Sequence, residues 1–108
     1  MDYRIQEDYL YVFLPTELDH HSTESIRREC DELLYDNEIL HIVFDFGETS
    51  FMDSSGIGVL MGRYRMISKL GGDVTAIHVN DRVYKILNLA GLHKVMEISQ
   101  EKIWNKRM

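Results

Sequence analysis

The segment Phe51-Met52-Asp53-Ser54-Ser55-Gly56 holds the side chains most open to chemistry in this 108-residue chain. It closes a loop and opens a helical pattern, and Asp-Ser-Ser is a natural helix N-cap. A hydroxyl at a helix N-terminus faces unpaired N–H groups and the positive end of the helix dipole, so a phosphate esterified there is accommodated. Phosphorylation adds about 1.5 to 2 negative charges at pH 7. Asp53 would feel that charge, and so would Asp19 or Glu17 if the fold brings them near. A unit pair 6 Å apart in water-like surroundings interacts by roughly 0.7 kcal/mol, so a dianion facing two carboxylates contributes about 2–3 kcal/mol. Repulsion of that size changes binding of a partner by about tenfold to a hundredfold. The residues permit a phosphoserine switch. The plainer reading is a helix cap and nothing more, and the placement of the hydroxyl argues for more.

Other constellations are weaker. Adjacent His20 and His21 lack the i,i+4 spacing of helical metal pairs, and with Asp19 they have no fourth ligand nearby, so no metal is expected. Gly56-Ile57-Gly58-Val59-Leu60-Met61-Gly62 imitates a dinucleotide fingerprint, but Met61 stands where the third glycine belongs. No cofactor is expected. Cys30 falls on an apolar helical face, which is the place of a buried structural thiol. Ser54 and Ser55 lack a nucleophile elbow and its partners. Asp45 or Asp53 would suit a receiver-like domain phosphorylated on aspartate, yet no acidic pair follows the first strand to hold Mg²⁺. A non-enzyme is expected, with a receiver-like or small-ligand-binding α/β domain as the alternative class.

The elements that must position these groups follow from periodicity. Tyr3 to Gln6 and Tyr9 to Leu14 alternate as strands around the turn Glu7-Asp8, a hairpin. Ser22 or Thr23 caps a helix with Glu24 in its first turn and Ile26, Cys30, Leu33 and Leu34 on one face. Leu40 to Phe46 reads as a central strand. A second helix carries Ile57, Leu60, Met61, Tyr64 and Ile67 and stops at Gly71-Gly72. Val74 to Val79 is a strand, and Asn80 caps a third helix that Gly91 ends. Val95 to Ile98 makes a last strand, and Ser99 caps a final short helix containing Ile103 and Trp104. The order β-β-α-β-α-β-α-β-α predicts one α/β domain over residues 1–108, with a mostly parallel central sheet and an N-terminal hairpin.

Composition limits the partners. The hydrophobic share of 44% and the charged share of 28% are those of a globular domain. One cysteine excludes an internal disulfide and suits a reducing compartment. No apolar run approaches the roughly 18 residues of a membrane span. Met1-Asp2-Tyr3-Arg4 lacks the basic-then-apolar order of a signal peptide, so a cytoplasmic location is expected. Residues 1–53 hold three basic and fourteen acidic side chains, a net of −11, and residues 54–108 hold nine and four, a net of +5. The acidic total of −6 argues against direct nucleic-acid binding and for a protein partner.

Glu17-Leu18-Asp19-His20-His21-Ser22, Phe51 to Val59, Gly62-Arg63-Tyr64 and Ala90-Gly91-Leu92 together resemble the STAS domain of anti-sigma factor antagonists. The resemblance covers nearly the whole chain and matches its element order. It implies that Ser54, the serine after the motif aspartate, is a phosphoacceptor. It further implies that the unphosphorylated form binds an anti-sigma factor serine kinase, which holds the ATP, and so frees a sporulation sigma factor. Phosphorylation separates the two, and a PP2C-type phosphatase resets the cycle. Glu17, Asp19, His21, Asp53, Ser55, Gly56 and Gly58 become expected partner contacts, with Arg63 at their margin. A STAS antagonist in a stress pathway would use the same serine with a different kinase. Thr16, where glycine is usual before Glu-Leu-Asp, and Ala90, where serine is common, depart from the pattern without touching the switch.

Overall fold

The computed structural model describes residues 1–104. Strands β1 (Asp2–Gln6) and β2 (Tyr9–Phe13) form the expected antiparallel hairpin, with Glu7 at φ 57° in its tight turn. A two-residue strand β3 (Glu17–Leu18) precedes helix α1 (His20–Asp36). Then come β4 (His41–Asp45), a second two-residue strand β5 (Phe51–Met52), α2 (Ser54–Ser68), β6 (Asp73–Ile77), α3 (Asp81–Leu89) and β7 (Glu97–Ile98). The main sheet runs β1-β2-β4-β6-β7, and every pair after the hairpin is parallel.

Successive crossovers step in one direction across this sheet. With a common right hand, they lay all three helices on one face. Packing agrees: alternate strand residues Leu10, Val12, Ile42, Phe44, Val74 and Ala76 join Ile26, Cys30, Leu60, Val83 and Leu87 in one buried cluster. Among the described residues, no helix lies on the opposite face. Its centre, Tyr11, Val43 and Ile77, is closed by Tyr9 and by Trp104, whose Nε1 donates to Glu97 Oε2 at 3.2 Å.

Three expectations are corrected. Helix α1 begins at His20 and is capped by Asp19, so neither Ser22 nor Thr23 is its N-cap and Glu24 falls outside its first turn. Strands β3 and β5, too short for any period to declare, pair with each other in place of a plain loop. Residues 99–104 form bends and coil, with Ser99 Oγ accepting from the Glu101 N–H, so no final helix starts there.

Where β4 and β6 are launched, the chain is packed backbone to backbone. A Cβ on Gly72 would stand 2.2 Å from the Leu40 carbonyl oxygen. Gly72→Ala should therefore lower unfolding stability by about 2 kcal/mol. An unchanged urea midpoint would contradict this packing.

Candidate functional site

Strands β3 and β5 bring the two motifs together. Leu18 pairs with Met52, the Asp53 N–H donates to the Leu18 carbonyl at 3.2 Å, and the Ser50 N–H donates to the Thr16 carbonyl at 2.9 Å. Two helices consequently begin side by side at the edge of this small sheet.

One carboxylate serves both starts. Asp53 is the N-cap of α2: its Oδ1 accepts from the Ser55 N–H at 2.8 Å. Its Oδ2 accepts from the His20 N–H, the first of α1, at 3.3 Å. Asp19 caps α1 through a reciprocal box, its Oδ1 accepting from the Ser22 N–H at 3.0 Å while its own N–H donates to Ser22 Oγ at 3.1 Å. The Ser22 hydroxyl donates onward to the Glu17 carbonyl at 2.9 Å. The Ser22 N–H, opposed by partial desolvation, holds the Asp19 carboxyl below its ordinary 3.8.

The third helix start is braced to the other two. Asn80 caps α3 through Oδ1, which accepts from the Val83 N–H at 2.8 Å, and its Nδ2 donates to the Thr49 carbonyl at 3.0 Å. The Thr49 hydroxyl donates to the Pro15 carbonyl at 2.8 Å. Sequence reasoning missed Thr49, for which only its place in a polar loop was a signal.

The expected site residues now separate. Ser54 is exposed as the first residue of α2, with half-buried Ser55 and Asp53 beside it. Glu17 and His21 are exposed, and Asp19 is half-buried. Gly58 is exposed and nothing approaches its Cβ position. Gly56 is corrected: it is buried, and a Cβ there would meet Met52 Cγ at 2.6 Å and Leu18 Cδ2 at 2.9 Å. Its absent side chain seats α2 on the small sheet and offers no surface. Arg63 is corrected too, being 5% exposed with Nε 3.1 Å from Asp31 Oδ1 on α1. That ion pair ties α1 to α2.

A groove of about 380 Å³ runs between the two helices, lined by His20, Thr23, Glu24 and Arg27 opposite Ser55, Gly58 and Val59. His20, rather than its neighbour His21, faces it. Asp45, a candidate acceptor in the receiver-like reading, is engaged by the Gly47 N–H at 2.8 Å and lies 2.9 Å from His78 Nδ1. Cys30 is fully buried, and desolvation pushes its thiol up to about 12, as befits an inert core residue. Among the described residues, no helix is long and apolar enough to cross a membrane.

A one-sided α/β sheet with an exposed serine at the α2 start, over the Glu-Leu-Asp strand, defines the class. The chain belongs to the STAS domain family, which it matches over residues 1–105. It is 39% identical over 94 residues to the anti-sigma F factor antagonist of Paenibacillus polymyxa, covering 87% of this chain and 80% of that protein. Its structure is similar to the anti-sigma factor antagonist SpoIIAA in its unphosphorylated form: TM-score 0.83, 28% identity, 94% of this chain and 89% of that one. Against the Bacillus cell fate determinant SpoIIAA in the phosphorylated form the TM-score is 0.75 at 27% identity, with 94% and 92% covered. The chain is thus a STAS-type relative of anti-sigma factor antagonists and not a receiver domain.

Two outcomes follow from the caps. Asp53→Ala should cost about 1–2 kcal/mol, because two helix starts lose an acceptor, and Asp53→Asn should cost less. Urea titration of both variants checks this, and equal losses would contradict the shared cap. For Asp19, a depressed folded pKa gives stability that is present above the unfolded value near 3.8 and is lost as pH falls through the folded value. Asp19→Asn should flatten the decline of stability below about pH 4. Parallel acid limbs for the two proteins would exclude that role.

Proposed function

We propose that this chain is an anti-sigma factor antagonist switched by phosphorylation of Ser54. The unphosphorylated protein binds an anti-sigma factor serine kinase and releases a sporulation sigma factor. The kinase, holding the ATP, transfers a phosphate to Ser54, and the complex separates. A PP2C-type phosphatase restores the hydroxyl. The protein itself acts as a non-enzymatic binding module of the cytoplasm, comprising a single domain.

The observation that carries this reading is the placement of Ser54. Its hydroxyl is exposed at the first position of a helix, so a kinase can reach it without unfolding the domain. The neighbouring caps Asp53 and Asp19 make a phosphate there electrostatically conspicuous. The names of the relatives support the partner class, and a SpoIIAA structure in a phosphorylated form supports the chemistry. The proposed contact surface comprises Glu17, Asp19, His21, Asp53, Ser55 and Gly58 around Ser54, with Gly56 supporting it from below.

Peptide-mapping mass spectrometry after incubation with a sporulation anti-sigma factor kinase and ATP tests the acceptor. One phosphate is expected on Ser54, retained in Ser55→Ala and lost in Ser54→Ala. Modification of Ser54→Ala, or none in the wild type with a kinase active on its own antagonist, would overturn the assignment.

A further inference from the structure

We propose that His20 is the counter-ion of a phosphate carried on Ser54. The inference rests on the phosphorylation reading above and adds the group that answers the new charge.

Three observations converge on His20. Its backbone N–H and that of Ser55 are bound to the two oxygens of one carboxylate, at 3.3 Å and 2.8 Å, which fixes the start of α1 against the start of α2. Ser54 and Gly58 are four residues apart and share a face of α2. Gly58 lines the 380 Å³ groove whose opposite wall begins with His20. With no side chain at Gly58, the α2 wall of the groove stays open opposite His20, one helical turn along from Ser54.

The surrounding charges leave His20 as the cation for this role. Glu17 on β3, Asp53 before α2, and Asp19 and Glu24 on the α1 side are all anionic. Arg27 lines the same groove but sits seven residues along α1, about 10 Å further by helical rise. His21 is exposed and does not line the groove. A dianion among these carboxylates favours the imidazolium form, so the midpoint for His20 deprotonation rises. The coupling is reciprocal: His20 lowers the midpoint at which the phosphate loses its second proton. For any dianion and unit cation about 6 Å apart in water-like surroundings, such a rise amounts to about one pH unit. The imidazolium therefore offsets part of the phosphate charge, and that charge stands uncompensated once His20 loses its proton.

The test uses the full chain with phosphoserine installed at position 54 by codon reassignment, so it does not depend on any kinase. Histidine Cε1–H and ³¹P resonances are followed through a pH titration, with and without the phosphate. The expected result is an upward shift of about one pH unit for His20 on phosphorylation. In His20→Ala, which keeps the backbone N–H bound by Asp53, the ³¹P midpoint should rise. In His21→Ala it should stay. A His20 midpoint that ignores the phosphate, or a ³¹P midpoint moved by His21→Ala and not by His20→Ala, would overturn the assignment. Failure of the kinase assay alone would sink the phosphorylation reading and leave this pairing standing.

Discussion

The carboxylate of Asp53 is the constraint on which the site depends. It holds the first free N–H of α1 with one oxygen and an N–H at the start of α2 with the other. Each helix start leaves about four donors without intrahelical partners, and a single anionic acceptor between two such starts satisfies donors from both. The two-residue strands β3 and β5 exist to deliver it: Leu18 takes the Asp53 N–H, and Gly56 lets Met52 and Leu18 press against α2. Further along, the Arg63–Asp31 pair keeps the helices in register. A groove between them follows as a consequence.

This geometry explains why a modification at one hydroxyl can matter beyond its own volume. Ser54 is exposed and takes no part in the buried core. Yet it adjoins a carboxylate already committed to two helices and sits near the Asp19 cap. Charge added there is felt by the whole corner where strand ends and helix starts meet. In open α/β sheets, the carboxyl ends of the strands are where ligands are met. Here all three caps, Asp19, Asp53 and Asn80, gather at that end, and Thr49 braces the loops between them.

Much of the fold was legible because its signals are local. The hairpin, the α2 start at Asp-Ser-Ser, the Asn80 cap and the Gly91 stop are each read from a few adjacent residues. The α1 start was misplaced because Asp19 and Ser22 are both good caps, and they form one reciprocal box in which only the structure assigns the roles. Strands β3 and β5 were invisible because two residues have no periodicity, and their partner is another two-residue strand more than thirty positions away. Arg63 was placed at the margin of the contact surface by the family resemblance alone, and its burial was not readable because the carboxylate that offsets it, Asp31, comes from a different helix. Gly56 was legible as special but not as buried, since the atoms that forbid a side chain belong to Leu18 and Met52. Local chemistry was readable; the meeting of distant segments was not.

The central claim is that charge at position 54 decides partner binding. Isothermal titration of a sporulation anti-sigma factor kinase with this chain, carrying either a hydroxyl or an installed phosphate at position 54, addresses it most directly. The account predicts affinity weaker by about tenfold or more for the phosphorylated chain, with circular dichroism unchanged. Equal affinities for the two forms would contradict it.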